Sequence, residues 1–160
     1  MVTARSVDQT TFREAMRHFA SGVTVVTTIF DDRPVGITVS AFSSLSLEPP
    51  LVLICIDRRA ESHGAIAAAG VFAVNILKQD QAHLSRLFAS RNANKFASVS
   101  YYLSDLGLPI LDNALTTLEC RVVEAVAGGD HTIYIGEVVD AHVNSGEPLI
   151  YYESAYRDLR

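Results

Sequence analysis

Positive charge, cysteine and long apolar runs are all scarce in this 160-residue chain, and each shortage closes off a class of function. Thirteen Lys and Arg stand against eighteen Asp and Glu, for a formal net charge of −5 at pH 7 and a sequence pI near 5.4. The basic residues are scattered, with Arg58-Arg59 the densest pair. Nothing forms the concentrated cationic surface that a nucleic-acid backbone requires. The two cysteines, Cys55 and Cys120, lie in apolar, strand-like runs with no CxxC or Cys/His ligand spacing beside them. They read as small core residues in a reduced compartment. The longest apolar tract, Ile66 to Leu77, is broken by Gly70 and Asn75 and is too short to span a bilayer. The amino terminus carries Arg5, Asp8, Arg13, Glu14 and Arg17 where a signal peptide would be unbroken and apolar. The expectation is a soluble cytoplasmic protein with neither a nucleic-acid nor a membrane partner.

Several catalytic signatures are also missing. No GxGxxG turn opens a helix, which counts against a Rossmann unit. No GxSxG elbow is present, so acyl transfer through a serine nucleophile is disfavoured. His18, His63, His83 and His142 pair with no carboxylates at ligand spacing, and no metal is expected. There is no internal repeat, low-complexity segment or charge run.

What the chain does have is apolar content, 49% of its residues, enough for one domain over 1–160 to bury a core without staples. Thr11 and Glu14 form a capping-box pattern, and Phe12, Met16 and Phe19 recur at helical spacing until Gly22, predicting an amphipathic helix laid against a core. Val23 to Phe30 is largely β-branched, Asp31-Asp32-Arg33-Pro34 is a turn cluster, and Val35 to Ala41 resumes an extended pattern, together a hairpin. Leu51 to Ile56 and Phe72 to Leu77 read as strands; Glu61 to Ala69, closed by Gly70, and Asp80 to Ala89, with Asp80 as N-cap, read as helices. Ser90 to Ser100 is a polar candidate binding loop. Leu115 to Val126 and Thr132 to Val143, joined by Ala127-Gly128-Gly129-Asp130, form a long hairpin, and Leu149 to Tyr152 a last short strand. Paired strands with a few short helices favour an antiparallel barrel, mainly β, over a doubly wound sheet.

Two tracts could carry chemistry. From Gly36 to Ser46, Thr38, Ser40, Ser43, Ser44 and Ser46 place hydroxyls at almost every second position, which in one strand puts most of them on one side. Such a face suits a planar heterocycle with a polar edge, although the spacing alone favours a solvated serine-rich strand. His131, after Gly129-Asp130, could donate to a carboxamide or phosphate, or simply hold a backbone partner at a strand end. Lys95-Phe96 in the polar loop offers a cation and an aromatic ring, or one anchoring phenylalanine.

Taken in order, GITVSAFSSLSLEPPLVLICID (Gly36–Asp57), GVFAVNIL (Gly70–Leu77), NKFA (Asn94–Ala97), GLPILDNALTTLECRV (Gly107–Val122) and GDHTIYIGEV (Gly129–Val138) closely resemble the flavin reductase family, the small reductase components of two-component flavin-dependent monooxygenases. The resemblance runs from about Phe12 to Tyr156. It implies a split antiparallel β-barrel of the FMN-binding type, a homodimer, and reduction of FMN or FAD by NADH or NADPH, with reduced flavin diffusing to a separate oxygenase. It also implies flavin contacts at Gly36, Ile37, Thr38, Ser40 and Ala41 and along the run from Cys55 to Ser62, Cys55, Ile56, Asp57, Arg58 and Ser62 among them. Lys95 and Phe96 are expected to close over the nucleotide, His131 to lie near the nicotinamide, and Tyr152 to contribute to the pyridine-nucleotide site. Ala41 stands where many relatives carry serine, and Tyr151-Tyr152-Glu153-Ser154-Ala155-Tyr156 lacks the glycine often found before the final aromatic. The alternative is a related split barrel that holds FMN tightly for electron transfer and does not release it.

Overall fold

The computed structural model describes residues 4–160. In chain order the elements are α1 (Gln9–Met16), β1 (Ser21–Gly22), β2 (Thr24–Phe30), β3 (Arg33–Val39), β4 (Phe42–Ser46), β5 (Leu51–Asp57), α2 (Glu61–Ala69), β6 (Val71–Ile76), α3 (Ala82–Ala89), β7 (Tyr101–Leu103), β8 (Pro109–Leu111), β9 (Thr116–Gly128), β10 (His131–Val143), β11 (Ile150–Tyr152) and β12 (Ala155–Arg157). Among the described residues no helix is long and apolar enough to cross a membrane.

Seven strands form one antiparallel sheet in the order β3-β2-β6-β9-β10-β5-β4. Its two edge strands, β3 and β4, are consecutive in the chain and meet at a corner, Ser40-Ala41, where the Cys55 amide donates to the Ala41 carbonyl at 3.0 Å. The sheet therefore curls into a barrel left open along β3, the split barrel that the resemblance implies. Alternation drives the curl: Val52, Ile54 and Ile56 of β5 point inward with Val26, Val39, Phe72, Val74, Cys120 and Tyr134, and Ile66 of α2 plugs the core. Gly136 is the close-packing point of this interior, since a Cβ there would stand 2.6 Å from the Phe72 ring. Burial pushes the Cys120 thiol up to about 12, in keeping with a core role.

The hairpins and α2 fall where the sequence places them, with tighter turns. Asp31 and Asp32, both at positive φ, make the β2–β3 turn alone, and Gly129-Asp130 makes the β9–β10 turn, with Gly129 at φ 63°. Gly70, at φ 69°, closes α2 in the left-handed region.

Four expectations are corrected. The cap of α1 is Asp8, whose carboxylate accepts from the Thr11 amide at 2.8 Å; a carboxylate one turn earlier outcompetes the Thr11–Glu14 box. That helix ends at Met16 and does not lie on the core: none of its residues is buried, and Phe12, Met16 and Phe19 are 57%, 49% and 74% exposed. Asp80 does not cap α3 but lies in a 3-10 turn, Gln79–Gln81, held by the Gln81 side chain accepting from the Lys78 amide. Finally, the hydroxyl tract is not one strand face. The corner at Ser40-Ala41 sends Thr38 to one edge of the sheet and Ser43, Ser44 and Ser46 to the other, along β4.

Candidate functional site

Because β3 pairs only with β2, the backbone groups on its other side find no strand partner among the described residues. The Gly36 carbonyl belongs to that free edge, since it accepts from Lys95 Nζ at 3.3 Å. In an antiparallel strand a residue's N–H and C=O point the same way, so the Gly36 and Thr38 amides share this direction. Pro34 has the same parity and costs no ladder bond there.

Between this edge and the β5–α2 turn lies a groove of about 750 Å³. One wall is residues 35–37 of β3; the second is Asp57 with residues 59–62; the third is residues 88–93 with Lys95. Adjoining it at Ala89 is a narrower pocket of about 280 Å³ lined by Thr38, Ser40, Ser85, Tyr151 and Tyr156 over Val23. The Thr38 hydroxyl donates to the Ser85 carbonyl at 2.6 Å, and the Tyr156 hydroxyl to Ser85 Oγ at 2.7 Å, so β3, α3 and the carboxyl-terminal hairpin meet in one polar seam.

The turn into α2 leaves polar donors open. Ala60 caps the helix without a side-chain hydrogen bond, and the His63 amide turns back to the Ala60 carbonyl at 3.1 Å, which leaves the Glu61 and Ser62 N–H groups to a ligand or solvent. Ser62, in that turn, is 4% exposed, and its hydroxyl finds no partner. A buried hydroxyl without a partner at a groove wall is costly unless something completes it. Just before the helix, Arg59 forks onto Asp57, with Nη2 to Oδ2 at 2.8 Å. Those hydrogen bonds hold the Asp57 carboxyl well below the usual carboxylate range.

His131 is the first residue of β10 and stands opposite Asp57 across the ladder, so the two side chains share a face. Its Nδ1 lies 2.7 Å from Asp130 Oδ1, and the Arg58 amide donates to the Asp130 carbonyl at 3.0 Å, which pins the hairpin tip to the β5–α2 turn. The bond to Asp130 holds the Asp130 carboxyl below its ordinary value and leaves Nε2 as the outward ring nitrogen. His63 Nε2 lies 2.8 Å from Thr132 Oγ1, a second tie between α2 and β10.

Of the residues singled out from sequence, Gly36, Ile37, Asp57, Ser62 and Lys95 line the groove, Thr38 and Ser40 the narrower pocket, and His131 flanks Asp57. Ala41 and Cys55 form the corner, Ile56 points into the barrel core, and Arg58 is exposed beside the hairpin tip. Lys95 is turned inward: its ammonium donates to the Phe88 carbonyl at 2.9 Å as well as to Gly36, and burial lowers its pKa. Phe96 stacks edge-on against Phe88 and Tyr101, each at 5.1 Å. Tyr151 and Tyr156, rather than Tyr152, face the narrower pocket. Arg59 falls within the Cys55–Ser62 tract that the resemblance implies, and Tyr156 closes the divergent carboxyl-terminal segment, whereas Ser85 and Arg91 carry no sequence signal.

The likeness to known proteins covers nearly the whole chain. Residues 16–160 match the flavin reductase like domain. The reductase component of a 4-nitrophenol 4-monooxygenase/4-nitrocatechol 2-monooxygenase from Rhodococcus opacus is 45% identical over 150 residues, 94% of this chain and 80% of that protein. Among solved structures, nitrilotriacetate monooxygenase component B from Mycobacterium thermoresistibile superposes with a TM-score of 0.92 at 40% identity, over 98% of this chain and 89% of the other. The NADH:FAD oxidoreductase SgcE6 of Streptomyces globisporus C-1027, in complex with NAD and FAD fragments, gives 0.92 at 35% identity, over 98% of both chains. With the split barrel, the open edge of β3 and the GDH turn on the same scaffold, this chain belongs to the flavin reductase-like family.

Proposed function

We propose that this chain transfers reducing equivalents from NADH to a flavin and releases the reduced flavin to a separate oxygenase, working as a cytoplasmic homodimer. The observation that carries this reading is the groove between the free edge of β3 and the amino terminus of α2, with the orphaned Ser62 hydroxyl in one wall and His131 beside it. The relatives point the same way: one is named an NADH-dependent flavin reductase, another an FMN reductase (NADH).

The residues present fit a flavin. The Gly36 and Thr38 amides and the Thr38 and Ser40 hydroxyls suit the polar edge of a ring, and the first turn of α2 with Ser62 suits a phosphate. Flavin and nicotinamide, once bound, supply the hydride chemistry themselves. The chain's task is to stack the two rings and exclude side reactions, so the lack of a strong acid/base pair is consistent with the reading. Edge amides at Gly36 and Thr38 would hold the polar edge of the ring and favour negative charge on it. His131, its Nδ1 held by Asp130, orients the nicotinamide carboxamide or phosphate through Nε2. Neutral donors and few free cations favour modest affinity, and micromolar dissociation corresponds to only about 8 kcal/mol.

Exposed apolar side chains support the homodimer. Phe12, Met16 and Phe19, with Leu47 at 87% and Val143 at 74% exposure, leave apolar surface that a second copy would cover. Cytoplasmic residence is supported by two free thiols.

The test is NADH oxidation by the purified protein with and without added flavin, in air and anaerobically. Oxidation that depends on free flavin, with reduced flavin accumulating anaerobically, is expected. A tightly yellow protein that oxidises no NADH would overturn the reading in favour of a flavin-holding electron carrier.

A further inference from the structure

The groove does not end at α2. A second cavity, about 330 Å³, opens from it and shares Val35, Glu61, Ala93 and Lys95 as common wall. Arg33, Pro34, Asn94 and Phe96 complete its lining. A ligand lying along β3 with a phosphate at Ser62 therefore has a continuous path onward, past Glu61, into a second chamber.

The charges along that path exceed what one phosphate needs. The first turn of α2 and Ser62 already form one anion site. Arg59 is engaged with Asp57, and the Lys95 ammonium with two carbonyl oxygens. Arg91, lining the groove, and Arg33, lining the second chamber, have no ion-pair partner among the described residues. Two unengaged guanidiniums, one lining each cavity, suit a second phosphate between them, which arginine meets bidentately. Beyond them, the Glu61 carboxylate suits a ribose diol, as acidic residues do in other dinucleotide sites. Pro34, Ala93 and Phe96 offer apolar wall for a purine, and the Asn94 amide can pair with its edge.

We propose that the flavin accepted here is the dinucleotide FAD, its AMP half lodged in the second chamber and its second phosphate met by Arg33 and Arg91, so that the chain selects FAD over FMN. This rests on the flavin-reducing reading above and adds which flavin that site takes.

The experiment is a fluorescence-quenching titration of the purified protein with riboflavin, FMN and FAD, repeated on the double variant Arg33→Ala/Arg91→Ala and on Arg33→Lys/Arg91→Lys, with circular dichroism confirming that each variant folds. FAD is expected to bind at least tenfold more tightly than FMN. The alanine pair should weaken FAD at least fivefold more than it weakens FMN, and the lysine pair should recover part of the loss. Equal affinity for FMN and FAD in the unaltered chain, equal weakening of both in the alanine pair, or unchanged FAD binding in that pair would each overturn the proposal while leaving flavin reduction intact. If none of the three flavins binds and NADH oxidation ignores added flavin, the flavin-reducing reading itself falls, and this proposal with it.

Discussion

His131 and Asp57 face each other across β10 and β5, yet their side chains are held by different partners. Asp130 orients the imidazole from the adjacent position, and Arg59 takes the carboxylate. Replacing His131 by alanine should therefore lower turnover with NADH by about tenfold or more while flavin affinity stays within twofold, because the phosphate-binding turn does not depend on the ring. Parallel loss of both in steady-state kinetics and flavin titration would remove His131 from the nicotinamide side. The Arg59–Asp57 fork makes a separate prediction about pH. The folded carboxyl titrates below its unfolded value of about 3.9, so the stability it adds is fully present above that value and is lost as pH falls through the lower folded one. Arg59→Gln should lower the urea midpoint slightly at neutral pH, with the difference fading in strong acid. The group is solvent-facing, and the effect should be small.

At the level of elements, β3 and α3 meet at a glycine. A Cβ on Gly36 would lie 2.7 Å from the Phe88 ring and 3.2 Å from that of Phe96, so the absence of a side chain lets the aromatic pair seat against the strand. Lys95 then ties the end of α3 to the same residue through the Phe88 and Gly36 carbonyls. Gly36→Ala should cost about 1–3 kcal/mol by overpacking, read as a lower urea midpoint. It should also weaken flavin binding, because pushing β3 away moves the edge amides that line the groove. A variant with native stability and native flavin affinity would mean that Phe88 swings aside freely and that the contact does not set the strand. The narrower pocket beside the groove depends on a neighbouring element pair, since the β11–β12 hairpin reaches Ser85 through Tyr156 and is held from behind by β1 pairing with β11.

For the molecule as a whole, the largest discrepancy between expectation and structure is also the most informative. The periodic Phe12, Met16 and Phe19 would normally face the chain's own core, and instead α1 buries nothing. If a second copy covers these residues, sedimentation at micromolar concentration should give a dimer. Phe12→Ser combined with Phe19→Ser should shift it toward monomer without lowering the urea midpoint of the monomer, because neither side chain supports the fold of its own chain. A monomer in the unaltered protein would leave the apolar surface to some other partner and end the homodimer reading.

Much of the fold was legible along the chain because it is set locally. Alternation along β5, the paired aspartates of the β2–β3 turn, the glycine turn between β9 and β10 and the glycine that closes α2 act over a few residues, and the ordered tracts around GITVSAF and GDH carried the family. Other features required the chain to fold back on itself. The hydroxyl tract has uniform spacing, but the Ser40-Ala41 corner splits it between two edges of one sheet, and that corner exists because Cys55, fourteen residues on, bonds to it. The orphaned hydroxyl of Ser62, the inward turn of Lys95 onto two carbonyls and the meeting of Tyr156 with Ser85 arise from contacts between segments distant in sequence. Sequence pattern by itself determined which segments become strands and which family they compose, since side-chain periodicity acts over neighbouring residues. Tertiary structure alone decided which polar groups are left without partners, because that depends on where each backbone edge and helix end comes to rest.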